Sequence, residues 1–272
     1  MKIAKKTFIV TGAGSGIGKA LTKELLKKNA KVVGVDLKKA SLNKLAKELE
    51  DLSKNFYGFA LDVSDKKAVE RFAKTLEKKK IKIDVLVNNA GIIQPFVKLN
   101  NLDYESIERV MNVNFYGPLY LIKAFLPQLL KRKEGYIVNV SSMGAFAPVP
   151  GQTIYGASKA ALKLLSEGLW SELYGSNIKV LTVFPGATQT NIAQNSKVKL
   201  TQTENTSKIP MLTAEKVAKL IVEAIEKNKS RLCTGKDSKM MDFLSRIAPL
   251  YAAKVIAKNL GSLLQNNKKE EK

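Results

Sequence analysis

The chain has 272 residues, 45% of them hydrophobic, so it is long enough for one α/β domain with a sizeable core. It carries 46 basic against 24 acidic residues, a formal charge of +22, with a single cysteine and no histidine. Those counts exclude an intrachain disulfide, a multi-cysteine metal site and every histidine-dependent hydrolase or zinc enzyme, leaving Tyr, Lys, Asp, Glu or a cofactor for any acid–base chemistry.

The excess charge is almost all lysine. Arginine occurs only at Arg71, Arg109, Arg132, Arg231 and Arg246, without interleaved aromatics, so no nucleic-acid partner is expected. Lysine pairs such as Lys27-Lys28, Lys38-Lys39 and Lys66-Lys67 read as solvated helix faces. With no signal-like apolar segment at the start and no run of membrane-spanning length, the expected location is the cytoplasm.

In chain order, short apolar runs at 7–11, 32–36, 56–63, 85–88, 136–140 and 180–184 read as strands. Between them, 17–29, 40–52, 66–79, 104–131 and 153–174 read as helices. Near-continuous apolar strands alternating with helices specify a doubly wound, Rossmann-like parallel α/β sheet in a single domain. Ser64 and Asp65 are candidate caps of the third helix, Gly175 a stop after the fifth, and Pro150-Gly151 a break before it. Residues 187–211 form a long polar segment expected to be a lid or binding loop. The expected division is a catalytic domain over 1–237, a helical extension over 238–264 broken near Pro249, and a frayed charged tail over 265–272.

The first strand runs into Thr11-Gly12-Ala13-Gly14-Ser15-Gly16-Ile17-Gly18. Glycines there let the backbone approach a pyrophosphate seated at a helix N-terminus, although Ile17 breaks the strict dinucleotide spacing, so the working set is Gly12, Gly16 and Gly18. Asp36 ends the second strand about twenty residues on, where a carboxylate accepts from ribose hydroxyls and repels a 2′-phosphate. NAD is therefore the expected cofactor, with NADP left open because Lys38 and Lys39 follow. Tyr155 and Lys159 stand at i and i+4, on one face of a helix, where the ammonium should favour the phenolate and lower the phenol's pKa.

Together with Asp62-Val63, Asn88-Asn89-Ala90-Gly91, Asn114, Ser141-Ser142 and Pro185-Gly186, in this order and spacing, the sequence closely resembles the short-chain dehydrogenase/reductase family over residues 5–235. The resemblance implies Ser142, rather than Ser141, as the hydrogen-bond donor to a substrate oxygen. It also implies Tyr155 as proton donor or acceptor, Lys159 as the residue that binds the nicotinamide ribose and holds down the Tyr155 pKa, and Asn114 as a water-holding relay. Gly12, Ser15, Gly16, Ile17 and Gly18 would hold the pyrophosphate, and Asp62 and Val63 would line the adenine. Asn89, Ala90 and Gly91 would border the adenosine, and Pro185, Gly186, Thr188 and Thr190 would hold the nicotinamide. No metal is implied. The expected activity is hydride transfer between NAD(P) and a ketone or secondary alcohol; the alternative is a non-catalytic NAD(P)-binding redox sensor or interaction module.

Met143, Ala145, Phe146, Ala147, Pro148 and Val149 follow Ser142 and are expected to line the substrate site, together with 94–99 and 187–211, which favours a hydrophobic substrate of lipid, steroid-like or acyl-chain type. In 238–264, Phe243, Ile247, Tyr251, Val255 and Leu260 are expected to form one apolar stripe. Packing on the domain or another subunit is the first expectation for that stripe, covering the cleft the second, and contact with an anionic membrane the third. Pairing of the long helices into a homodimer or homotetramer is implied by the resemblance.

Overall fold

The computed structural model describes residues 1–147, 149–196, 198, 211–261 and 264. Chain order runs β1 (Thr7–Thr11), α1 (Gly16–Lys27), β2 (Lys31–Asp36), α2 (Lys39–Glu48), β3 (Phe56–Ala60), α3 (Lys66–Lys78), β4 (Val85–Asn88), α4 (Tyr104–Met111), α5 (Gly117–Leu130), β5 (Gly135–Val140), α6 (Thr153–Glu172) and β6 (Ile178–Pro185). It continues through β7 (Thr188–Gln189), α7 (Ile192–Asn195), β8 (Leu212–Thr213), α8 (Ala214–Glu226), β9 (Arg231–Thr234), α9 (Lys236–Ile247) and α10 (Pro249–Leu260). Seven parallel strands form one sheet in the order β3-β2-β1-β4-β5-β6-β9.

Parallel strands need both faces covered, and alternating side chains supply both. From β1, Phe8 and Val10 join Leu21 and Leu25 of α1 and Val217 and Ile221 of α8 on one side. Ile9, between them, joins Phe72 and Leu76 of α3 and Leu121, Phe125 and Leu129 of α5 on the other. The strand order reverses between β1 and β4, so the loops leaving their carboxyl ends diverge and open a crevice there.

Four departures from the sequence reading have local causes. The strand expected over 56–63 ends at Ala60, where the chain leaves the sheet edge. The helix expected over 104–131 is interrupted by a π-helical turn, Asn112–Tyr116, before Pro118 opens the next helical stretch. β9 and α8 complete the sheet and one of its layers but were not anticipated; β9 has only four residues and none of them shows a clear alternation. The segment 187–211 is not wholly loop, since it contains β7 and α7; residues 197 and 199–210 of it lie outside the described residues, as do Pro148 and the tail 265–272. Asp65, rather than Ser64, caps α3, accepting from the Ala68 N–H at 3.0 Å.

The single apolar stripe expected over 238–264 is not formed. Ala248, at φ −147° and ψ 68°, breaks the helix before Pro249, so one helical phase cannot run through both halves. Val255 and Leu260 face inward with Met241 and Ile256, whereas Phe243, Ile247 and Tyr251 face outward.

Candidate active site

The crevice is built first by Thr11 at the end of β1. Its hydroxyl accepts from the Asn89 and Ala90 N–H groups, both at 2.9 Å, and donates to Val87 O, while its carbonyl accepts from Asn89 Nδ2. One threonine thus ties the two diverging loops together. Gly12 turns here at φ +67°, and a Cβ on it would lie 2.9 Å from Asn89 Nδ2, so the loop needs glycine for both conformation and space. Gly18 lies behind the loop, where a Cβ would overlap the Gly12 carbonyl oxygen; its place is explained by helix–loop packing rather than by contact with the crevice.

The crevice encloses about 420 Å³. Gly12, Ser15, Gly16, Ile17, Asp36, Asp62, Val63, Asn89, Ala90, Gly91, Pro185, Gly186, Thr188 and Thr190 all line it, as do Ser142, Tyr155 and Lys159. Gly18 and Asn114 do not. Asp36 bends back to the glycine loop, with Oδ2 accepting from the Gly14 N–H at 2.9 Å and Oδ1 from the Lys38 N–H at 3.2 Å. Lys39 is drawn away, its ammonium donating to Gly58 O, so of the two lysines only Lys38 lines the crevice.

At the other end, α6 presents Tyr155 and Lys159. Lys159 is 3% exposed and its Nζ donates to Val140 O at 3.1 Å. Gly91 opens the space beside it: a Cβ there would stand 3.1 Å from Lys159 Nζ and 3.3 Å from Asn114 Oδ1. Asn114 belongs to the π-helical turn, a rare irregularity frequent at functional sites. Its amide binds both sides of Ile92, accepting from N–H and donating to C=O, each at 2.9 Å, and donates to Ser158 Oγ at 3.0 Å. Ser158 in turn donates to Tyr155 O. Asn114 therefore holds the loop after Gly91 against the helix that carries Tyr155 and Lys159.

Ser141 is spent on structure, donating to Lys159 O at 2.8 Å, which leaves Ser142 as the second hydroxyl at the crevice, its Oγ accepting from the Gly144 N–H at 3.0 Å. Burial raises the Tyr155 pKa above its ordinary value, and the neighbouring Ser142 hydroxyl only partly opposes this. The expected lowering by Lys159 is thus corrected: the ammonium lies 6.0 Å from the phenol ring centre and its own pKa is pushed down to about 8 by burial. Desolvation disfavours both charged forms and outweighs their mutual attraction at that distance.

A match to the short chain dehydrogenase family spans residues 6–201. The chain belongs to the short-chain dehydrogenase/reductase family. It is an oxidoreductase of that family, with the Rossmann-like parallel sheet expected from its sequence. It is 36% identical over 211 residues to the 3-oxoacyl-[acyl-carrier-protein] reductase FabG of Thermotoga maritima, covering 78% of this chain and 85% of that protein. A short chain dehydrogenase from Burkholderia cenocepacia, solved in complex with NADP, is 25% identical with a TM-score of 0.78, covering 94% of this chain and 99% of that one. A short chain dehydrogenase/reductase from Burkholderia phymatum, solved in complex with NAD, shares the fold at a TM-score of 0.81 and 24% identity, covering 91% and 94% of the two chains.

Three further residues bear on this family site. Gln94, fully buried, accepts from the Ile154 and Tyr155 N–H groups at 2.8 and 3.0 Å, capping α6 from outside it. The sequence reading placed Gln94 among substrate-lining residues; a cap supplied from sixty residues away has no local spacing by which to be found. Gln94→Leu should lower stability by about 2 kcal/mol, because two N–H groups lose their acceptor. It should also reduce turnover more than cofactor affinity, as read by urea denaturation beside steady-state kinetics. Asp237, in the first turn of α9, accepts from the Ala187 N–H at 2.7 Å and so pins the loop after β6. Asn195 of α7 donates to Ser15 Oγ at 2.8 Å, strapping α7 across the glycine loop.

The apolar run after Ser142 also turned out differently from expectation. Met143, Phe146, Ala147 and Val149 pack with Met241 and Ile256 of α9 and α10 rather than forming a free substrate wall. A burial partner supplied by the extension accounts for their composition. Tyr155 itself packs with Ile93, Phe96, Ile192, Ala193 and Val198, and of these five Ile192 lines the crevice.

Proposed function

We propose that this chain reduces a hydrophobic ketone, or oxidises the corresponding secondary alcohol, using a nicotinamide cofactor, NAD in preference to NADP. The observation that carries the reading is the convergence of Ser142, Tyr155 and Lys159 with the glycine loop on one crevice. The residues present fit such a dinucleotide: the glycines leave a cradle that side chains would fill, and both Asp36 oxygens keep acceptor capacity beyond their backbone partners. Gly12, Ser15, Gly16 and Ile17 would hold the pyrophosphate, Asp36 the adenosine ribose, Asp62 and Val63 the adenine, and Pro185 to Thr190 the nicotinamide. Bound nicotinamide supplies the hydride to, or takes it from, the substrate carbon.

The chain's own groups then handle the oxygen. Ser142 donates a hydrogen bond to the carbonyl oxygen as negative charge grows on it, and Tyr155 transfers its phenolic proton to that oxygen. The raised pKa of Tyr155 keeps the proton available at neutral pH. Lys159 places an ammonium 6.0 Å from the phenol ring centre, and Asn114 fixes the loop and helix between which Lys159 lies. Ile92, Val113, Val140 and Ile192 give the crevice an apolar lining, which supports an apolar substrate; the carbonyl that the name of the Thermotoga maritima relative specifies is of the same general kind. Exposed Tyr104 on α4, Leu164 and Trp170 on α6, and Tyr174 just after α6 support pairing of the long helices between subunits.

Mixing with NADH should enhance and blue-shift the cofactor's fluorescence; unchanged fluorescence would remove this reading. Asp36→Ala should lower the KM for NADPH about tenfold relative to that for NADH, because Lys38 then faces the 2′-phosphate without a competing carboxylate.

A further inference from the structure

We propose that the outward face of α9 and α10 is a docking surface for an anionic lipid bilayer. The two helices have separate faces with separate occupants. Inward, Met241, Ala252 and Ile256 are buried against the segment that follows Ser142. Outward, Met240, Phe243 and Ile247 recur at i, i+3 and i+7 of α9, and Leu250 and Tyr251 begin α10 beside them. Leu250 is 86% exposed, Phe243 65% and Ile247 64%. Among the described residues nothing in the interior accounts for them, since the inward face is the one that packs.

The charges on this face have one sign. Lys236, Lys239, Lys254 and Lys258 are exposed, and among the described residues the two acids of these helices are turned to other work. Asp237 holds the Ala187 N–H, and Asp242 is paired with Arg231 at 2.7 Å and Arg246 at 3.0 Å. A protruding apolar ridge flanked by flexible lysines suits an interface where apolar side chains enter the acyl boundary and ammonium groups reach anionic headgroups. A second copy docked through the same face would set these cations against themselves, in a chain already carrying +22. Among the described residues no helix is long and apolar enough to cross a membrane, so the contact is one of lying on the surface. Docking would lay the α9–α10 pair, and through it the segment after Ser142 and the Ala187 loop, against the lipid.

Co-sedimentation with vesicles tests this directly, using the full chain. Wild type should sediment with mixed phosphatidylcholine–phosphatidylglycerol vesicles, bind vesicles of phosphatidylcholine alone far more weakly, and be released from the mixed vesicles by high salt. The combined variant Phe243→Ser, Ile247→Ser and Leu250→Ser keeps every charge and alters only exposed side chains. It should bind the mixed vesicles roughly tenfold more weakly while holding NADH as wild type does. The proposal is overturned if wild type stays in the supernatant with anionic vesicles. Equal sedimentation of wild type and variant would also overturn it, by showing attraction of the basic chain as a whole. So would indifference of wild type to vesicles combined with a smaller assembly of the variant in light scattering, which would make the face a contact between copies.

Discussion

Tyr155→Phe should reduce turnover by roughly 10³-fold or more while leaving the fold and NADH binding nearly intact. The substitution removes one oxygen and one proton. In the structure Tyr155 lines the crevice together with Ser142, and the ring's apolar neighbours Ile93 and Phe96 still pack against phenylalanine. The stability change should therefore stay within about 1 kcal/mol. Ser142 alone can polarise a carbonyl oxygen but cannot deliver the proton that completes the alcohol. With no histidine anywhere in the chain, no neighbouring imidazole can substitute. Steady-state rates paired with a fluorescence titration of NADH separate loss of chemistry from loss of binding.

Lys159→Met should abolish turnover and at the same time stabilise the protein. Burial holds the Lys159 pKa near 8 against an ordinary 10.5, and the side chain is 3% exposed. Keeping that charge inside the fold at neutral pH corresponds to roughly 3 kcal/mol, less about 1 for the hydrogen bond to Val140 O that methionine cannot make. Below pH 8 the lysine is protonated in both folded and unfolded chains, so the variant's advantage is full and constant. Between pH 8 and 10.5 the unfolded chain binds a proton that the folded chain has released, so wild type gains stability as pH rises. The advantage of the variant should accordingly shrink across that window. Urea denaturation at several pH values would show it, and an advantage that grew with pH would contradict the assignment of a buried ammonium. Stability given up at a functional position in this way is common in enzymes.

The sheet and the glycine loop were legible because they rest on local patterns. β1 and β4 were located to the residue, since fully buried parallel strands are continuous apolar runs with polar ends. Of the seventeen lining residues named, the glycine loop, Asp36 and the Tyr155/Lys159 pair rest on local spacing, whereas Asp62, Val63, Asn89 to Gly91, Ser142 and Pro185 to Thr190 came from the family resemblance. What could not be read depends on distant partners. Gln94 caps α6 across sixty residues, Asp237 reaches back to Ala187, and the π-helical turn at Asn114 leaves a helical hydrophobic pattern almost unchanged. The sign of the Tyr155 shift was misread for the same reason. An i, i+4 spacing shows that two groups share a face, but not that burial outweighs a charge whose ammonium stands 6.0 Å from the ring centre. The stripe over 238–264 failed because Ala248 resets the helical phase, a backbone event with no hydrophobic signature.

The central claim is that one crevice joins a nicotinamide site to the Ser142–Tyr155–Lys159 group for carbonyl chemistry. It is tested most directly by following the absorbance of NADH while a graded series of aliphatic, acyl-chain and steroid ketones is added to wild type and to Tyr155→Phe. The expected result is oxidation of NADH by wild type with the more apolar ketones, in proportion to alcohol formed, and none above background with Tyr155→Phe. Equal rates for the two proteins would contradict the assignment of the proton donor. Tight NADH binding without oxidation by any ketone, or of alcohols in the reverse direction with NAD, would contradict the enzymatic reading itself and favour a redox-sensing role.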